Sequence, residues 1–326
     1  MCAALVAIHQ HPHLPAGAMR DMLEFYESLM PRLYPWSRPV SAEEVREWFR
    51  ELDVYEDFSL AMCYCGSRLV GLAWLQPSKV GLEVDDEAPY WDLCVDKLLA
   101  RARWFSRRFG HSGRVFVSVG DAYRALRFYV ESLVGGVTRG SSACMGVEDP
   151  ARLCAEHRYF KSYSIVEARS VEEASRKLGV ERRRLVESIV SIYNKAFSVY
   201  EWFTAGSSVE DYERWIEVAK PSIILAVDES KRVLGYLLYV SYVAIDGVET
   251  VHLHEIAVDP SAQGRGIGTS LVRALACIAR GKRIVLYALA EVEGFYSRLG
   301  FEVYARYARI VTSLSNVPSA IESIAI

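Results

Sequence analysis

Apolar and polar positions alternate with a period of two over several short stretches and with a helical period over longer ones. Residues 58–65 form an apolar run, Gly66-Ser67 is a turn, and residues 69–75 resume the apolar pattern, so this stretch predicts a β-hairpin. The same design returns at residues 222–228, a turn at Glu229-Ser230-Lys231, and residues 233–243. Amphipathic helices are predicted over residues 19–33, 42–52, 92–109 and 182–196. The last of these carries Leu185, Val186, Ile189, Val190 and Tyr193 at helical spacing. Further strands are predicted at residues 114–119, 137–147, 162–168, 283–288 and 301–314, with residues 1–8 as a possible first strand. Helices alternating with short, largely hairpin-linked strands imply an α/β fold.

The two halves track one another. Gly71 and Gly235 take matching places in the second strand of each hairpin. Residues 114–119 answer residues 283–288, and Phe128-Tyr129 with Gly135-Gly136 echo Phe295-Tyr296 with Gly300-Phe301. A repeat of about 160 residues implies a duplicated domain. The boundary is expected between Asp149 and Tyr163, giving domains of residues 1–157 and 158–326.

The halves differ in one stretch. Residues 251–258 have Val251 and Leu253 on one strand face, His252 and His254 on the other, then Ile256, Ala257 and Val258. Turn chemistry follows at Asp259-Pro260-Ser261, then Gln263-Gly264-Arg265-Gly266-Ile267-Gly268-Thr269. Leu271, Val272, Leu275 and Ala276 continue at helical spacing. Strand, glycine loop and helix together offer free backbone N–H groups and the positive end of a helix dipole to a phosphate. A triphosphate loop would need Gly-Lys-Ser/Thr, and a dinucleotide fingerprint would need glycine where Thr269 stands; neither fits. The first half has Asp85-Asp86-Glu87-Ala88-Pro89-Tyr90-Trp91 here, an acidic run expected to repel a pyrophosphate.

Gln263-x-x-Gly266-x-Gly268 after a strand resembles the acetyl-CoA pyrophosphate loop of the GNAT acyltransferases. Phe295-Tyr296-Ser297-Arg298-Leu299-Gly300-Phe301 is similar to that family's second signature. The resemblance is specific in the second half and loose in the first. It implies two tandem GNAT-like domains, each a mixed, mostly antiparallel twisted sheet flanked by helices. The first is a degenerate copy without the loop and the second an acetyltransferase domain. It also implies acetyl-CoA as co-substrate, with pantetheine along Ile256, Ala257 and Val258. The pyrophosphate would lie on the amides from Gln263 to Thr269, through Gly264, Arg265, Gly266, Ile267 and Gly268. Arg265 is either a phosphate contact or a solvated loop arginine.

The chemistry so implied is attack of an amine on a thioester in a ternary complex, and no cysteine falls in either motif. Tyr296 is the expected general acid toward the leaving thiolate. For the base, His254 ranks first. Glu255 ranks second, taking the role if the strand bulges as in family members, and a water-mediated route without a strict base follows. The acceptor pocket is expected from Tyr200, Glu201 and Trp202, with His252 beside the base. A non-catalytic acyl-CoA-binding or regulatory protein is the alternative from another class.

Composition narrows the partners. The chain has 326 residues, is 51% hydrophobic and carries a formal charge of -3 without a polybasic run, so nucleic acid is not an expected partner. No apolar run is long enough to cross a bilayer, and the N-terminus lacks the basic region of a signal peptide; a cytoplasmic protein is expected. Seven scattered cysteines do not suggest a disulfide framework, and Cys63 and Cys65 are expected as small buried residues. Two Asn and three Gln in the whole chain suggest a thermophilic source, in which a disulfide or two would be in place. No metal is expected: His252, His254 and Glu255 are too few ligands for zinc, and His9 to His13 form a surface loop around Pro12.

Overall fold

The structure, a computed structural model, describes residues 4–10, 16–39, 41, 59–76, 79–120, 124–135, 137–155, 162–200 and 206–318. The helix expected at residues 42–52 and the loop from His11 to His13 lie outside them. In chain order the first elements are β1 (Ala4–Gln10), α1 (Ala16–Leu33), β2 (Ser59–Cys65), β3 (Arg68–Gln76), β4 (Lys79–Val84) and α2 (Trp91–Arg108). After them come β5 (Arg114–Gly120), α3 (Arg124–Val134), β6 (Val137–Val147) and the short α4 (Ala151–Ala155). The remainder comprises β7 (Ser164–Ala168), α5 (Val171–Leu178), α6 (Arg182–Phe197), α7 (Val209–Ala219), β8 (Ser222–Val227) and β9 (Val233–Val243). It ends with β10 (Glu249–Val258), α8 (Ile267–Ile278), β11 (Arg283–Leu289), α9 (Ala290–Arg298) and β12 (Glu302–Ser313).

Two compact units emerge, and they do not follow chain order. One comprises Met1–Cys144, Ala288–Glu293 and Val303–Ile326; the other comprises Met145–Tyr287 and Gly294–Glu302. In the first unit the strands run in the order β1-β2-β3-β4-β5-β12-β6. The chain's last strand is thus an interior strand of the first unit: β12 pairs antiparallel with β5 from Tyr307↔Gly120 to Ser313↔Arg114. Thr312 anchors it by donating to the Val134 carbonyl at 2.8 Å. The core of this unit sets Met22 and Leu29 of α1 and Leu98, Leu99 and Phe105 of α2 on Leu60, Leu72 and Leu75 of the sheet.

The second unit orders its strands β11-β10-β9-β8-β7. All neighbours are antiparallel except β10 and β11. Leu185, Val186 and Ile189 of α6 pack on Ile223, Leu225, Tyr236 and Leu238, which fixes one face of the sheet. Both units are therefore α/β, mixed and mostly antiparallel, with helices against the sheet.

The internal repeat is visible at single residues. Gly71 pairs with Val84 in the first unit, and Gly235 pairs with Val258 in the second. A Cβ on Gly71 would meet Val84 Cγ2 at 2.9 Å, and one on Gly235 would meet the Ala257 carbonyl at 3.0 Å and Ile267 Cγ2 at 3.1 Å. Both glycines are there because the neighbouring strand, and in the second unit the following helix, comes too close for a side chain.

Immediately after these strands the buried Asp85 and Asp259 repeat a second detail. The N–H of each donates into the hairpin, Asp85 to the Val70 carbonyl and Asp259 to the Leu234 carbonyl. Asp85 pairs with Arg68 at 2.7 Å and Arg32 at 2.8 Å; Asp259 pairs with Arg232 at 3.3 Å and Lys195 at 3.9 Å. Asp85 is thus a paired turn residue, so within the acidic run its own charge is offset. What separates the units is the loop itself. Residues 86–90 lead to α2, whereas residues 260–266 lead to α8, two residues more. The residue before the helix is left-handed in both, Tyr90 (φ 64°) and Gly266 (φ 76°). The first unit sets a phenol ring where the second has open backbone.

The cysteines form the disulfides that a thermophilic source would allow, and the reading of Cys63 as a small buried residue is corrected. Cys63 of β2 is bonded to Cys94 of α2, and Cys154 of α4 to Cys277 of α8. Cys63 is therefore a cross-link and not a lone buried thiol; Cys144 is free and buried. In each unit the bridge ties down the helix that follows the loop. No helix among the described residues is long and apolar enough to cross a membrane.

Candidate active site

The parallel pair β10 and β11 creates the site by coming apart. Their register runs from Thr250↔Arg283 to Leu253↔Leu286 and stops there. At the same point β10 bulges: Leu253 faces Tyr239 and Glu255 faces Leu238 of β9, leaving His254 as the extra residue. A bulge bends the strand and re-aims the side chains that follow it. From Glu255 to Val258 the strand is paired with β9 alone, so its other edge is open. Ile256, Ala257 and Val258, the expected pantetheine contacts, line that edge.

Beyond the opening, Asp259 accepts from the Ser261 N–H at 2.9 Å and starts a single turn over Pro260–Ala262. Gly264 and Gly266 both take φ 76°, a conformation costly for any residue with a Cβ. The chain then enters α8 without a side-chain cap. None of the backbone N–H groups of Gly264, Arg265, Gly266, Ile267, Gly268 or Thr269 donates to another described residue. Gln263, Gly264, Arg265 and Gly266 are exposed. Arg265 has no carboxylate partner among the described residues. The arrangement is a set of unsatisfied donors at the positive end of a helix, which suits a diphosphate. Gln263 turns its amide back to the Val258 carbonyl at 3.3 Å.

The second motif meets the first. A Cβ on Gly268 would lie 3.6 Å from Phe295 Cζ, so α9 rests on the first turn of α8. Gly300, at φ 87°, ends α9, and the Phe301 N–H returns to the Tyr296 carbonyl at 3.1 Å. This is why the motif reads Phe-Tyr-x-x-x-Gly-Phe: a left-handed glycine closes the helix and folds one ring back on another. Tyr296 is buried between Phe295 (5.0 Å) and Phe301 (5.7 Å). Burial, and secondarily Tyr200, push its phenol well above the ordinary range, so it holds its proton at every physiological pH.

The carboxylate of the site is Glu255. Tyr212 of α7 and Tyr236 of β9 each donate to its Oε1 at 2.5 Å. Burial raises its pKa, and the two phenols act against that rise. His252 is lowered to about 4 by burial and by His254, and His254 is lowered by burial. His254 stacks on Trp215 at 4.7 Å and 23°, and His252 meets Tyr287 edge-on at 5.6 Å. Both imidazoles are therefore neutral rings set among other rings. The bulge brings Glu255 to the sheet face of Tyr236 and Leu238, toward α6 and α7.

Of the expected acceptor residues, Tyr200 stands 6.0 Å from Phe197 and influences Tyr296. Glu201 and Trp202 lie outside the described residues. Tyr212, Trp215, Tyr236 and Tyr287 were not expected from the sequence. A Ser208-x-x-Asp211 capping signature does announce α7, which carries two of them: Ser208 accepts from the Asp211 N–H at 3.0 Å. Among the described residues no group of three His, Cys, Asp or Glu is placed to hold a metal ion.

Comparison with known proteins bears on this geometry. Residues 186–301 match the Acetyltransferase (GNAT) family. An uncharacterised N-acetyltransferase of Methanocaldococcus jannaschii is 48% identical over 64 residues, 18% of this chain and 28% of that protein. An L-methionine sulfoximine/L-methionine sulfone acetyltransferase of Pseudomonas paraeruginosa is 26% identical over 133 residues, 37% of this chain and 77% of that protein. The first of these matches thus spans under a third of its relative's length. Among solved structures, a tandem GNAT protein from the clavulanic acid biosynthesis pathway superposes with a TM-score of 0.67. It is 15% identical, and the likeness covers 95% of this chain and 99% of that one. A GCN5-related N-acetyltransferase from Sphaerobacter thermophilus gives 0.62 at 16% identity, covering 97% of each chain. At such identities the likeness is one of fold, and it extends over both halves.

Proposed function

Because the C-terminal region is a domain of the GNAT acetyltransferase family, we propose that this protein transfers an acetyl group from acetyl-CoA to an amine in its second unit. The single observation that carries the reading is the row of undonated amides from Gly264 to Thr269 at the open edge of β10. At the corresponding loop of the first unit the Glu87 and Ala88 N–H groups are taken by Asp85 and Pro89 has none, and that unit is read as non-catalytic.

When bound, acetyl-CoA supplies the activated acyl carbon. The chain's residues then have three tasks. The open edge of β10 and the loop amides hold the thioester's tail and diphosphate. Glu255 takes a proton from the acceptor's ammonium, directly or through water, so that a neutral nitrogen attacks. Carbon–nitrogen bond formation and carbon–sulfur cleavage leave a thiolate, to which Tyr296 gives its proton, and the second proton that the nitrogen loses restores the phenol. The order in which the base candidates were ranked is reversed in this proposal. His254 is stacked on Trp215 with its proton affinity lowered, whereas Glu255 sits on the inner face with its proton affinity raised.

Incubation with acetyl-CoA and a panel of amines, with mass analysis of products, tests the reading; N-acetylated product is expected. A carboxylic acid with raised pKa must ionise before it can act as base, so kcat/KM should rise with pH on a limb above the ordinary carboxylate range. Glu255→Gln should lower kcat/KM about 10²-fold and flatten that limb. A limb that persists unchanged in Glu255→Gln would remove the residue from the role.

A further inference from the structure

We infer that the acceptor is an amine borne on an aromatic or similarly flat group and free of anionic substituents. The inference rests on the acetyltransferase reading above and names the acceptor class for the same site. Its basis is the wall around Glu255.

That wall is built of rings in series. Tyr212 lies 5.6 Å from Trp215, Trp215 stacks on His254 at 4.7 Å, His254 meets His252 at 5.8 Å, and His252 meets Tyr287 at 5.6 Å. The series starts at the phenol that holds Glu255 and ends on β11 where that strand leaves β10. It is also open: His254 is exposed, Trp215 and His252 are half-buried, and Tyr287 is 52% exposed. An apolar core would have covered these rings. Offset and edge-on contacts between rings are favourable beyond their buried area, and a ring-bearing ligand extends such a series at either face.

Charge selects further. The groups that perturb Glu255, Tyr212, Tyr236, His252, His254 and Tyr296 are carboxylate, phenols and imidazole; no lysine or arginine is among them. His252 is held neutral by burial and by its neighbour His254. A phosphate or carboxylate on the acceptor would therefore face the carboxylate of Glu255, whose hydrogen bonds come from the phenols of Tyr212 and Tyr236. A lone ammonium would meet one carboxylate and the faces of several rings, which attract cations.

The test uses the full chain with acetyl-CoA and four amines: 2-phenylethylamine, hexylamine, phenylalanine and glucosamine 6-phosphate. The expected result is a kcat/KM for 2-phenylethylamine about tenfold above hexylamine and about 10²-fold above the two anionic amines. Trp215→Ala should raise KM for 2-phenylethylamine about tenfold, Trp215→Phe should restore most of it, and KM for acetyl-CoA should hold in both. Equal use of hexylamine and 2-phenylethylamine, or preference for an anionic amine, overturns the inference while leaving acetyl transfer intact. Turnover of none of the four, nor of any other amine, overturns the reading beneath it.

Discussion

Tyr296→Phe is expected to lower kcat by 10²- to 10³-fold, on the order of a lost general acid, while acetyl-CoA binds as before. The hydroxyl is the only atom removed, and no described residue depends on it for a hydrogen bond. The ring contacts with Phe295 and Phe301 stay in place, so the fold is not at issue. Because burial holds the phenol's pKa high, the acid limb and the basic limb of the pH profile should both be unaffected by Tyr296 below the alkaline range. Steady-state rates beside a direct measurement of acetyl-CoA binding check this. A protein that binds CoA, turns nothing over and is indifferent to the substitution would be an acyl-CoA-binding module.

Gly266→Asp should weaken acetyl-CoA binding by more than about 10³-fold. A carboxylate some 4 Å from a phosphate costs on the order of 4 kcal/mol per charge pair near a protein surface, and 1.4 kcal/mol is a factor of ten. The backbone requirement is separable from the charge. Gly266 sits at φ 76°, where Asn and Asp are the side chains best tolerated. Gly266→Asn therefore adds nearly the same volume and strain without the charge, and should retain much more affinity. Calorimetric titration of the two variants distinguishes them; equal losses would make the position a matter of shape alone.

The sequence carried the loop, the Phe-Tyr helix and the hairpins because each is local. Gly264, Gly266 and Gly300 occupy left-handed backbone that announces itself as glycine, and β9's apolar run is long enough to be unambiguous. Of the helices that escaped, two were signed. Ser170-x-x-Glu173 and Ser208-x-x-Asp211 are capping boxes at α5 and α7, and in each the serine accepts the N–H three residues on. The bulge at His254 is a different case. A single extra residue in β10 decides which of two neighbouring side chains faces inward, and that depends on the pairing with β9, not on the strand's own alternation. Partners brought from afar were also out of reach: Tyr212 and Tyr236 on Glu255, Cys154 on Cys277, and β12 beside β5. Each joins segments whose separate patterns say only helix or strand.

The account stands on the amides at the head of α8, and a titration of ¹⁵N-labelled protein with acetyl-CoA observes them one by one. Saturable shifts largest at Gly264 to Thr269, with smaller ones along Ile256 to Val258, are the predicted result. Saturable binding that leaves those amides unmoved would contradict it.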